Sequence, residues 1–210
     1  MLLIKKVSKL ILGFLIIAFG LFLMKEANIG MNPWSTFHYG LSLKTNISFG
    51  TISQIVGLFF ILIGLFFKKK PSIGTILNMI LIGLFINTLD KYFPFVIPDN
   101  FILQIIICLI GLIIFSIGVY VYLSCGLGAG PRDGFMLGLV SSTNLHIGYI
   151  KTIVESIVFI IGLLLGAPFG LGSILTTILG GPLLHKIFKM FNYIPEKQKQ
   201  YSIKELLLKK

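Results

Sequence analysis

Charge is scarce in this chain, and no other feature of its 210 residues excludes as much: 12% are charged, where a soluble domain carries roughly 25%. With 56% hydrophobic residues and a mean hydropathy of +0.98, the chain has more apolar surface than a soluble fold of this size could bury. Cysteine is almost missing. The two present, Cys108 and Cys125, fall on one expected helix, which excludes a disulfide framework. Arginine occurs once, as Arg132, among eighteen basic residues. Enzyme signatures are missing too: there is no Ser-His-Asp arrangement, no His-Glu-x-x-His, no carboxylate pair and no phosphate loop. Asp90, Asp99 and Asp133 fall at helix ends or in loops, and His38, His146 and His185 show no metal-ligand spacing. The expectation is a protein that is not an enzyme and carries no cofactor or metal, with the histidines in surface or capping roles.

What is present is a series of long apolar runs. About 20 helical residues cross the hydrocarbon core, and a chain in lipid must satisfy its backbone internally, which these runs do as helices. The run 10–24 follows Lys5, Lys6 and Lys9 like a secretory signal, but Lys25-Glu26-Ala27-Asn28 offers no small-x-small cleavage site, so it reads as the first membrane helix. The formal charge of +11 sits between helices and in the tail, where lipid headgroups are the expected partner and nucleic acid is not.

The chain also repeats itself. Gly118 follows Gly20 by 98 residues, and at that shift Gly13/Gly111, Gly20/Gly118, Gly30/Gly128, Pro33/Pro131, Gly40/Gly138, Gly50/Gly148, Gly64/Gly162, Gly74/Gly172 and Gly83/Gly181 coincide without a gap. Shared Leu and Ile would mean little between membrane helices; glycines and a proline in register mean duplication. Each unit reads as a helix, a short Pro-initiated segment and two further helices: 8–27, 33–43, 49–67 and 73–90, then 101–125, 131–142, 147–166 and 170–188. The short segments cannot span. Pro takes their first helical position, with Asn32 or Gly130 as N-cap. The expected fold is therefore all-α, a polytopic membrane bundle of six transmembrane helices in two three-helix repeats. Residues 1–95 and 96–192 form the repeats and 193–210 a basic cytoplasmic tail.

Lysine fixes the expected orientation. Lys5, Lys6 and Lys9, then Lys68, Lys69 and Lys70, then Arg132 and Lys151, then the tail from Lys186 and Lys189 to Lys210 all fall on one side if six helices cross. Both termini are then cytoplasmic, and an odd number of spans per unit inverts the second copy. The 91–100 segment becomes the outward linker, and Trp34, Tyr39, Tyr92, Tyr120 and Tyr122 fit an interfacial aromatic belt.

Gly128-Ala129-Gly130-Pro131-Arg132-Asp133-Gly134, followed by Ile147-Gly148-Tyr149-Ile150-Lys151-Thr152-Ile153-Val154-Glu155 and Gly170-Leu171-Gly172-Ser173, resembles the YczE/YitT-type family of bacterial integral membrane proteins. The resemblance implies a bacterial cytoplasmic-membrane location and supplies no substrate or reaction. Members carry Pro-Trp-Asp at the first short segment, where this chain has Pro33-Trp34-Ser35.

Glu155 is the most informative side chain. It falls about two turns into the fifth expected span, and ionisable groups at such depth mark functional sites by default; a structural pair with Lys151, one turn earlier, is the plainer alternative. Its repeat-mate is Gly57, so one half alone carries the acid. Arg132, beside Asp133, suits forked hydrogen bonding to a carboxylate or phosphate, or a positive-inside anchor. Gln54, Asn78, Thr152 and Thr176 are polar groups on apolar helices, placed either for helix-to-helix hydrogen bonds or for a pathway. Pro33, Gly128, Gly130 and Pro131 mark helix breaks; the repeated glycines serve either close packing of helices or a dip of the backbone that would present N–H groups to an anion. The functional expectation is a secondary transporter or exporter of a small, anionic solute, with Glu155, Arg132, Asp133 and Lys151 at the site. The alternative is a non-transporting membrane partner of another enzyme or complex, docking through the tail. A homodimer is compatible with either.

Overall fold

The computed structural model describes residues 2–68, 70–93, 100–143 and 147–194, apart from the side chains of Leu2, Leu3, Asp133, Leu137, Ser141 and Ile147. The linker prolines Pro94 and Pro98, His146 and most of the basic tail lie outside it. Every described element is helical: α1 (Leu2–Glu26), α2 (Pro33–Thr45), α3 (Phe49–Phe66), α4 (Ile73–Tyr92), α5 (Phe101–Leu123), α6 (Pro131–Thr143), α7 (Ile147–Leu164) and α8 (Leu171–Met190). Helices α2, α3 and α4 recur as α6, α7 and α8 with both bounds moved by the same 98 residues (33 to 131, 45 to 143, 49 to 147). Local sequence sets these limits. Asn32 accepts the Ser35 N–H at 3.0 Å ahead of Pro33, and α2 stops where Asn46 turns left-handed at φ 57. Ser72 and Thr75 form a reciprocal capping box at the start of α4.

Five of these helices are long and apolar enough to cross a membrane: α1 from Ile4, α3, α4, α5 and α8. Helix α7, the remaining expected span, is not in that set, and its opening side chains lie outside the described residues. At 13 residues, α2 and α6 measure about 20 Å, short of the roughly 30 Å core. Leu12, Leu15, Phe19, Leu58, Phe59, Leu62, Ile106 and Ile157 point outward, as expected where lipid is the solvent.

The helices sort into two sets. Helix α1 packs along α5, with α4 against α1 and α8 against α5. The α1/α5 seam is lined by glycines: a Cβ on Gly13 would sit 2.8 Å from the Tyr122 backbone nitrogen, and one on Gly118 would sit 2.7 Å from that of Ile17. Residue numbers rise along α1 as they fall along α5, so these repeat-mates run antiparallel. The second set pairs α2 with α7 and α3 with α6 around Trp34, Ile52, Val56, Phe60, Met136 and Val158. The main packing between the sets is α3 against α4. There, Asn87 accepts the Gly50 N–H at 3.0 Å and donates to the Thr51 hydroxyl at 3.0 Å, while Gln54 donates to the Ile80 carbonyl at 2.8 Å.

The two repeats also interlock at helix starts. The Gly74 N–H of α4 donates to the Leu127 carbonyl ahead of α6, and the Gly172 N–H of α8 donates to the Ile29 carbonyl ahead of α2, both at 2.8 Å. Each dock holds the break that precedes a short helix. Gly128 lies at φ +114 with its α-carbon against the Ser72 side chain, a position that only glycine fills without strain.

Candidate functional site

A cavity of about 470 Å³ lies between the two sets. The wall from α1, α4 and α5 is mostly apolar, with Ile17, Leu21, Ile82, Phe115 and Val119 broken by Asn78 and Tyr122. The opposite wall, from α2, α3, α6 and α7, carries Ser35, His38, Arg132, Lys151 and Glu155. The starts of both short helices face it, through Asn32 and Trp34 on one side and Gly130 and Pro131 on the other.

Trp34 organises the charged wall. The Arg132 guanidinium lies 4.4 Å from its ring centre, within cation–π range. The indole also interacts with the Glu155 carboxylate, and Phe60 meets the ring at 5.2 Å, nearly edge-on at 85°. One Arg132 nitrogen, Nη2, lies 3.3 Å from His38 Nε2. A guanidinium can only donate, so Nε2 accepts and His38 is the neutral tautomer with its proton on Nδ1. Lys151 approaches Glu155 at 3.9 Å, one turn earlier on α7. The Lys151 side chain is 58% exposed and that of Glu155 27%, so this ion pair holds its geometry loosely and contributes little stability.

Of the residues singled out from the sequence, Glu155, Arg132, Lys151, Asn78, Gly130 and Pro131 meet at the cavity. Gln54 does not line it, because its amide is used between α3 and α4. Thr176 is buried and donates to the Gly172 carbonyl of its own helix at 2.7 Å. Thr152 is exposed. Pro33 starts α2 beside the cavity, and Gly128 serves the dock with α4. The Asp133 side chain lies outside the described residues.

Two expectations are corrected. His38 is 2% exposed and faces the cavity, not a helix-end surface, because α2 is sunk in the bundle; His185 is exposed as expected. Trp34 is 6% exposed and belongs to the site, not to an interfacial belt, and Tyr122 is likewise buried and lines the cavity. The repeat held a signal for Trp34. Its mate at 34 + 98 is Arg132, so the second residues of both short helices come to lie against each other.

Fold and site together define a helical, multi-pass membrane protein with a charged cavity between two helix sets. The chain belongs to the family of unknown function DUF6198, which matches residues 4–189. It is 36% identical to the uncharacterized membrane protein YczE of Bacillus subtilis, over 82% of this chain and 80% of that one. An uncharacterized protein of Haemophilus influenzae is 33% identical over 81% and 78%, and the uncharacterized protein YyaS of B. subtilis 26% over 83% and 88%. The resemblance read from the Gly-Pro-Arg-Asp-Gly run is thereby borne out. No solved structure matches.

Proposed function

We propose that this protein is a secondary transporter of a small organic solute in the bacterial cytoplasmic membrane, with Glu155 as the coupling carboxylate and Arg132 as the partner of an anionic group. The observation that carries the reading is that Glu155, Arg132 and Lys151 face one cavity between two helix sets. Intramembrane charge is expensive and is kept where it meets water or a solute. The apolar wall opposite makes the fitting solute amphipathic, its charged end toward Arg132 and the start of α6 and its body against Ile82, Phe115 and Val119. Six crossings in two inverted units, with both termini cytoplasmic, accompany the proposal. Its supports are the recurring helix bounds, the antiparallel α1/α5 pair and the lysine distribution. Inverted repeats with interrupted helices around a midplane site are a common transporter architecture. The protein's role in this reading is movement of the solute, with no chemical step.

The test is a thermal-shift screen of purified protein with monocarboxylates, amino acids and phosphate, followed by uptake of any stabilising solute into proteoliposomes. Glu155→Gln should insert normally and lose uptake. Full uptake by Glu155→Gln and Arg132→Ala alike would refute the reading.

A further inference from the structure

The two repeats are not in the same state, and the difference lies at one interface. In the first unit the start of α3 is sealed to the end of α4 through Asn87, Gln54 and the Gly50/Gly83 contact. The equivalent seal would join the start of α7 to the end of α8, with Tyr149 for Thr51, Thr152 for Gln54, Glu155 for Gly57, Thr177 for Met79, Ile178 for Ile80, Gly181 for Gly83 and His185 for Asn87. It is not made. A Cβ on Gly181 would find nothing within 4 Å, and one on Gly180 only Leu112 of α5 at 3.9 Å. Tyr149, Thr152, Ile178 and His185 are all exposed.

We infer that the unsealed α7/α8 pair is the cytoplasmic gate of the cavity, which closes by copying the α3/α4 contact as the α3/α4 contact opens. This rests on the transport reading and says how its site reaches one side at a time. Three features support it. Two of the three apolar cores are each confined to one set, Trp34 to Val158 and Met24 to Leu112, and the third crosses between the sets through Phe49 and Tyr39, near the sealed α3/α4 end, so the sets can part at the opposite end. The main seal between them is at the α3/α4 end, which leaves the α7/α8 end with Lys151 and Glu155 reachable from solvent.

The third feature is chemical. Helix α8 carries Pro182 in its interior, and a proline has no N–H for the carbonyl four residues earlier. That carbonyl belongs to Ile178, the mate of the Ile80 carbonyl that accepts from Gln54. Pro182 thus releases the acceptor that the closed interface needs, within a Gly180-Gly181-Pro182 stretch of low helix propensity. On closure the Thr152 hydroxyl donates to it.

Closure has a condition attached. Gly57 packs on Met79 in the sealed unit, where a Cβ would lie 2.8 Å from the Met79 Cγ. In the other unit the same contact would press Glu155 onto Thr177. A bare carboxylate resists that burial, and a neutral or solute-paired one does not. The gate is therefore coupled to the charge of Glu155, with Lys151 and Arg132 as the cations facing it.

Cross-linking tests this without knowing the solute. In a Cys108→Ala, Cys125→Ala background, Thr51→Cys with Asn87→Cys should form a disulfide at once in membranes. Tyr149→Cys with His185→Cys should form one more slowly, within one chain, and several-fold faster when Glu155→Gln is added. If that background fails to fold, the same pairs are made with both buried native cysteines retained. An inner pair that never closes, that links only between two chains, or that is indifferent to Glu155→Gln overturns the inference. Transport is judged separately by uptake: a failed cross-link with normal uptake removes the gate alone, and normal cross-linking with no bound solute removes the transporter.

Discussion

Alanine at Gly118 and at Gly181 makes a controlled comparison, since both are glycines inside apolar helices and their surroundings differ completely. At Gly118 a Cβ would lie 2.7 Å from the Ile17 nitrogen and 3.0 Å from the Gly13 carbonyl oxygen of α1. These are backbone atoms of a helix and cannot turn aside as a side chain can. Ordinary contact needs 3.4 Å or more, so α1 and α5 must part by 3.4 − 2.7 = 0.7 Å along the longest seam in the fold. Overpacking of this kind costs about 1–3 kcal/mol, roughly a 5- to 150-fold rise in the unfolded fraction at about 1.4 kcal/mol per tenfold. At Gly181 nothing lies within 4 Å, and Ala gains up to about 1 kcal/mol in helix propensity over Gly. In detergent, loss of the monodisperse gel-filtration peak on heating should come several degrees earlier for Gly118→Ala than for wild type, and no earlier for Gly181→Ala. Equal or inverted behaviour of the two variants would refute the helix assignment at the seam, since the backbone contact would not exist.

Two further outcomes follow from the site and the topology. Arg132→Lys should lose solute-induced thermal stabilisation nearly as completely as Arg132→Ala, because a lysine cannot both cover the Trp34 ring at 4.4 Å and reach His38; recovery of half or more of the wild-type shift by lysine would show that charge alone suffices. A cysteine at Lys44, on the exposed end of α2, should react with an impermeant thiol reagent from outside intact cells, and one at Ser142 only after permeabilisation. Ser35 is unsuitable as a probe because it is buried; labelling of Lys44→Cys and Ser142→Cys from the same side would sink the inverted arrangement.

The helices were legible in the sequence, and their limits to within about two residues except at the start of α1, expected at residue 8 and found at Leu2 because the helix continues through Lys5, Lys6 and Lys9. Glycines and a proline in a 98-residue register are local signals repeated twice, and the caps at Asn32 and Ser72 are settled by residues three positions away. Backbone satisfaction in lipid leaves little choice beyond helices, so the all-helical class was legible in composition. Glu155 was legible as well, because a charge inside an apolar run is conspicuous wherever the run goes, and Arg132 was legible as the one arginine of the chain. Tertiary structure decided what those charges meet. Trp34 looks like an interfacial aromatic and His38 like a helix-end residue until α2 is found packed against α7, which brings Trp34 next to Glu155, 121 positions along the chain (155 − 34). Gln54 and Thr152 are equivalent by sequence, yet one is engaged across α3 and α4 and the other is exposed. Equivalent positions in a repeated chain diverge in this way because packing is set by what each face encounters: Gln54 meets the Ile80 carbonyl of α4, whereas nothing lies within 4 Å of a Cβ placed on Gly181 of α8.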